Sequence, residues 1–403
     1  MIRKLTLTAC SLLAAGGLLS TPAPGADGYA MTLDGEILSG TTHSIGPSGE
    51  VKIGEELSEL EALRFIAPQQ APGGEADTEA DESPLRIILV CGSDLRAKDL
   101  LFEDENFVFT SASAGQKLEI PVDSVLAVRL ELPIPGSRFE ETMALEADQR
   151  DEDTVYVTGV AGELLELNCL IESISADSVT FDRRGKSETI ARDKVHGVVL
   201  ASPDLDEPMP CTAIMDDRSS FSGKVASLED GKLRLEMIDG IEVELPWENV
   251  RRLRVYSPRL VAVSDLEPSE VETQPILGPK WDYRRNLSVA GNELTIGDTI
   301  FDQGLGLAAG MEISYELGGD FDLFTATIGI DAETQGRGDC EFVLLGDGRE
   351  LFRQRVRGTD EASLIKVDVS GIQELVIVVE PGQNLDISDH ANWAEASLLQ
   401  GKK

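Results

Sequence analysis

Histidine is nearly absent from this chain: three occur in 403 residues, at positions 43, 196 and 390. Ser–His chemistry would have to recruit one of them, and none lies in a nucleophile elbow or a His-Glu-x-x-His helix. Basic residues are scarce as well. Against 73 Asp and Glu stand only 35 Lys and Arg, a formal net charge of −38. Such a surface repels nucleic-acid phosphates and anionic lipid, which excludes nucleic-acid binding. Cysteine is sparse and scattered. Once Cys10 is set aside with the N-terminal segment, Cys91, Cys169, Cys211 and Cys340 show no Cys-x-x-Cys spacing. Cys340 alternates with Phe342 and Leu344 like a core strand residue, so buried free thiols are expected rather than a disulfide framework or a zinc site. Aromatics make up only 5% of the chain. There is no phosphate-binding Gly-x-x-x-x-Gly-Lys loop, and no run beyond the N-terminus is apolar enough to span a bilayer.

What is present is sufficient for folded cores: 41% of residues are hydrophobic, and 403 residues suggest two to four domains. Arg3-Lys4, the apolar stretch Leu5 to Leu19 and the small residues and prolines of Ser20 to Ala26 have the layout of a signal peptide over 1–26. Export to the periplasm, the cell surface or the medium is expected. The middle of the chain repeats one plan of alternating strands, closed by an apolar strand that begins near Val125, Val195 and Val250. A further copy ends at Leu60 to Phe65. In the last copy Lys232 to Glu236 and Ile241 to Leu245 alternate at period two, between turns at Asp230-Gly231 and Asp239-Gly240. The expected layout is a partial β repeat at 27–68, an acidic Pro/Gly linker at 69–84, and β repeats at 85–135, 154–203 and 208–256. Three or four such units of about five short strands fit small SH3-like or Sm-like barrels, or paired halves of a larger sandwich.

Residues 257–401 read as all β and as a two-sheet jelly roll. Met311, Ile313, Tyr315 and Leu317 alternate with polar residues, as do Phe324, Ala326, Ile328 and Ile330, and Gly346-Asp347-Gly348 marks a hairpin. Six short motifs follow in order: Tyr283-Arg284-Arg285-Asn286, Gln303-Gly304-Leu305-Gly306, Ile328-Gly329-Ile330-Asp331, Gly346-Asp347-Gly348, Val367-Asp368-Val369-Ser370-Gly371 and Asp389-His390-Ala391-Asn392-Trp393-Ala394. In this order they resemble the NPCBM family of bacterial sugar-binding modules. That resemblance implies a galactose-binding-like jelly roll that binds a glycan or envelope polysaccharide without catalysis. The chain departs from the family pattern at Ala308, where a His is usual, and at Asn392, where an Asp is more usual.

Recognition of sugars needs an aromatic face for the C–H side of the ring and fixed polar groups for its hydroxyls. Candidates are Trp281 and Tyr283 at the start of the module and Asp389, His390, Asn392 and Trp393 near its end. Trp393 lies among Ala394, Ala396 and Leu398, a setting that also suits the core, and Tyr315 alternates with core residues. Asp331, Asp389 and Glu395 offer hard oxygen ligands of the kind calcium takes. Two rival readings stand beside the sugar-binding one. A cell-envelope structural protein would use the jelly roll to contact other envelope proteins, and a glycoside hydrolase would need only two carboxylates. No enzyme signature favours the last, and a non-enzyme is expected.

Overall fold

The computed structural model describes residues 19–20, 28–68, 85–134, 137, 139, 152–159, 163–201, 208–277, 279–383 and 385–401. The linker at 69–84 lies outside them. So does the expected signal peptide at 1–26, apart from Leu19–Ser20, a two-residue strand paired with Ser363 and Leu364. Among the described residues no helix is long and apolar enough to cross a membrane. The chain divides into two compact units, one holding 24–260 and the other 261–403 together with the N-terminal 1–23.

In the first unit one strand order recurs four times, a short strand, a long strand, two shorter ones, a 3-10 turn and a closing strand, with the long strand of the first copy split into Ile37–Ser39 and Thr42–Ile45. In the second copy these are Arg86–Leu89, Asp94–Glu103, Asn106–Ser111, Lys117–Pro121, the turn Val122–Ser124 and Val125–Arg129. The closing strands are Leu63–Ala67, Val125–Arg129, Val195–Val199 and Val250–Val255. Each pairs antiparallel with the first strand of its own copy. The first residues Leu63, Val125, Val195 and Val250 are all buried, because the 3-10 turn drops the chain inward just before them. The closing strands also pair with one another. Val128 faces Val198 between the second and third copies, and Leu253 faces Ile66 between the fourth and first. At the latter contact the Arg252 guanidinium lies 4.6 Å from the centre of the Phe65 ring. His196, in the third closing strand, is buried with its ring 5.0 Å from Phe139.

The second unit is a jelly-roll sandwich. Its strands, numbered from the start of the module, are β1 (Glu270–Thr273), β2 (Arg284–Arg285), β3 (Leu294–Ile296), β4 (Thr299–Phe301), β5 (Gly304–Ala308), β6 (Met311–Glu316), β7 (Phe321–Ile330), β8 (Asp339–Gly346), β9 (Arg349–Arg357), β10 (Ser363–Asp368), β11 (Glu374–Pro381) and β12 (His390–Gln400). One sheet runs β10-β7-β12-β5-β2, with Leu260–Ala262 also paired to β12; the other runs β1-β6-β11-β8-β9. From β5 onward the chain changes sheet at almost every connection, so the loops gather at the two ends of the sandwich. The period-two alternation sends Ile313, Tyr315, Phe342 and Leu344 into a shared core with Phe324, Ile328 and Trp393.

The outer face of the first sheet is covered too. Gly306 and Gly329 flank Asn392 in register on either side. A Cβ on Gly306 would sit 2.3 Å from the Leu287 carbonyl oxygen, and one on Gly329 would sit 2.3 Å from Ile296. These two bare positions let the segment after β2 and the β3–β4 hairpin lie flat on the sheet. The four cysteines beyond residue 28 are free thiols. Burial pushes the Cys169 thiol up to about 11 and that of Cys211 to about 12, which keeps both protonated and inert.

Candidate functional site

The loops after β1, β5, β7 and β11 meet at one end of the sandwich. There the chain emerging from β7 makes a 3-10 turn, Ala332–Thr334. Asp331 caps it, its Oδ1 accepting from the Glu333 amide at 2.9 Å. The cap aims Glu333 at the first residue of β12, and the His390 Nδ1 lies 2.6 Å from its Oε1. The other oxygen, Oε2, accepts from Asn292 Nδ2 at 2.7 Å and Ser288 Oγ at 3.1 Å. Both donors come from the segment folded back over the sheet. The His390 and Glu333 side chains are 20% and 17% exposed, shielded but within reach of solvent. With Nδ1 turned to the carboxylate, Nε2 is the ring nitrogen left to meet an incoming hydroxyl.

Trp281 completes the arrangement. It is half-buried, part of its face packed on the core, and its ring stands edge-on to His390 with centroids 5.4 Å apart. Ala308 lies directly across the strand pair from His390. An aromatic edge, an imidazole acceptor and a carboxylate held by two donors are thus fixed on rigid elements at one rim.

Of the six residues expected to contact a sugar, the structure brings Trp281 and His390 together. Tyr283 points elsewhere and shares hydrogen bonding with Arg285, whose guanidinium pairs with Glu267 at 2.9 Å and with the Leu266 carbonyl oxygen at 3.2 Å. The remaining three need correction. Trp393 is fully buried between Phe324 and Phe342, at ring distances of 6.1 and 5.2 Å, and offers no face to a ligand. Asn392 is also fully buried, its Nδ2 donating to Asp331 at 2.5 Å. Asp389 is buried and accepts from the Asp339 amide at 2.7 Å.

The calcium set needs the same correction. Asp331 accepts from the Thr295 and Glu333 amides and from Asn392, and burial holds its carboxyl above the usual range. Asp389 holds the β8 amide, and Glu395 lies buried farther along β12. Among the described residues no group of three or more His, Cys, Asp or Glu side chains could hold a metal ion. The sequence reading did not name Glu333, Asn292 or Ser288. Glu333 lies 57 residues from His390, and only the Asp331 cap signal at a strand end marks the turn that delivers it.

Residues 259–399 match the NPCBM/NEW2 domain family, so the C-terminal unit is a carbohydrate-binding-module-like domain. Over 110 residues the chain is 32% identical to a protein of Renibacterium salmoninarum named "Putative endo-alpha-N-acetylgalactosaminidase". That match covers 27% of this chain and only 7% of the relative's length. Among solved structures, a CBM51 module from Clostridium perfringens GH95 in complex with methyl-galactose is 28% identical, covering 34% of this chain and 99% of that one, with a TM-score of 0.32. The tandem CBM51 modules of a family 98 glycoside hydrolase from Streptococcus pneumoniae are 13% identical, covering 93% and 88%, with a TM-score of 0.31.

Proposed function

We propose that the chain is an exported, non-catalytic glycan-binding protein whose C-terminal module takes a sugar at the rim formed by Trp281, His390 and Glu333. The observation that carries this is the fixed juxtaposition of the Trp281 ring with the His390–Glu333 pair. An apolar sugar face packs on the indole while His390 Nε2 accepts from a ring hydroxyl. Glu333 orients the imidazole and spends both carboxylate oxygens on His390, Asn292 and Ser288, which leaves it poorly placed as a general acid or base. The four β copies serve as SH3-like spacers that carry the module, or as a surface for envelope proteins.

The test is to screen the full chain and its Trp281→Ala variant on a broad glycan array. Inhibitable binding that falls at least about tenfold in the variant supports the reading. Binding that survives the substitution unchanged moves the site away from this rim, and a folded chain that binds no glycan sinks the proposal.

A further inference from the structure

Beside the His390 rim lie four exposed large apolar side chains: Ile276 at 51%, Leu277 at 67%, Leu385 at 43% and Ile387 at 56% exposure. They stand on two loops that are tied together. Asp386 accepts from the Ile276 amide at 2.7 Å and the Leu277 amide at 2.9 Å. The patch is therefore held in place rather than merely uncovered. Leu385 is the telling member. Its φ is 66°, a left-handed conformation that favours glycine or asparagine, and the residue remains 43% exposed. Leucine is a costly choice at such a backbone position.

The patch stands on the same two loops that lead to Trp281 and His390. Leu277 precedes Trp281 by four residues and Ile387 precedes His390 by three. The loop bearing Glu333 packs against the same segment, because Gly338 lies so close to the Ser388 carbonyl oxygen that a Cβ would approach it to 2.4 Å. Three loops thus carry the polar groups of the rim and the four exposed apolar side chains. A free polar glycan has no use for the patch; a sugar joined to an apolar carrier does.

Resting on the reading of the rim given above, we infer that the ligand is a protein-linked glycan: the sugar occupies Trp281, His390 and Glu333, and apolar residues of the polypeptide that bears it lie across Ile276, Leu277, Leu385 and Ile387. The net charge of −38 opposes approach to an anionic bilayer, which favours a peptide over a lipid as the carrier.

The test measures binding of the full chain to synthetic threonine peptides O-linked to galactose, glucose, N-acetylgalactosamine or N-acetylglucosamine. Each peptide has leucine and valine beside the threonine and is compared with the corresponding free methyl glycoside and the unglycosylated peptide. At least one glycopeptide is expected to bind ten to a hundred times tighter than its glycoside, with the bare peptide silent. The double variant Leu277→Ser, Ile387→Ser is expected to erase that advantage and leave glycoside binding unchanged. Both residues are exposed, so the variant should fold, and Leu277→Met with Ile387→Met should retain the advantage. Equal affinity for glycopeptide and glycoside, or an advantage that survives the serine variant, overturns this inference while leaving the sugar site standing. Loss of Trp281 without effect on any probe overturns the site itself. Preference for the same sugars on lipid vesicles over glycopeptides, or no binding to any probe, also overturns it.

Discussion

The C-terminal module has two tryptophans near His390, and they live in different worlds. Trp393 is three residues along β12, fully buried between the sheets; Trp281 stands at the rim, half-exposed, with its edge to the His390 ring. The difference is set by strand parity and by what covers each face. Ala391 and Trp393 point inward, whereas Asn392 and Ala394 point outward, the latter under the β3–β4 hairpin. At Glu395, with φ of 50°, the strand bulges, and the inward set shifts to Ala396 and Leu398. The eleven-residue β12 thus offers one usable end, His390, and is otherwise packing on both sides. In the proposed site, ligand contact would fall to residues on strand ends and loops, which the core positions hold still.

That contrast can be broken by substitution. Trp393→Ala should have the largest effect, destabilising the module by about 3–5 kcal/mol in denaturant unfolding, since it empties the centre of a closely packed core. A loss below about 1 kcal/mol would mean that the packing is misassigned. Trp281→Ala should do the reverse, shifting stability by less than about 1 kcal/mol while weakening glycan binding at least about tenfold, as read by calorimetry. Glu333→Gln should be milder: the amide still meets His390 but no longer fixes the tautomer, so affinity should fall several-fold with the fold intact. The smallest effect concerns pH. Burial raises the Asp331 carboxyl above its ordinary 3.8, so the native state keeps that proton to higher pH than the unfolded chain does. Its stabilising contribution is complete below 3.8 and is lost as pH climbs through the native value. Asp331→Asn should therefore flatten the stability profile just above pH 3.8, and an unchanged profile would assign the slope to other carboxylates.

Much of the sandwich was legible because its strands obey a period of two over residues whose burial follows it. Met311 to Glu316 alternates without a break, and the Gly346-Asp347-Gly348 turn lies between β8 and β9 as expected. The rim was half legible. Trp281 and His390 announce themselves as scarce residue types at element ends. Asn392 and Asp389 carry the same polar signal and are buried, Asn392 under a segment admitted by Gly306 and Gly329 from distant strands and Asp389 against the Asp339 amide at the start of β8. No local pattern shows a lid assembled that way. Glu333 was hidden for a related reason: among 73 acidic residues nothing but tertiary contact singles it out.

The pairing of closing strands in the first unit bears on how the protein is made. The second and third copies join through Val125–Arg129 and Val195–Val199, neighbours in synthesis, whereas Leu63–Ala67 of the first copy must wait for Val250–Val255 of the last. Until then the first copy carries an open, hydrophobic strand edge of the kind that templates aggregation. Closing the unit is consequently a long-range event and a slow one. A nascent chain interrupted before residue 250 would leave that edge bare, so the last copy to be translated is also the guard of the first.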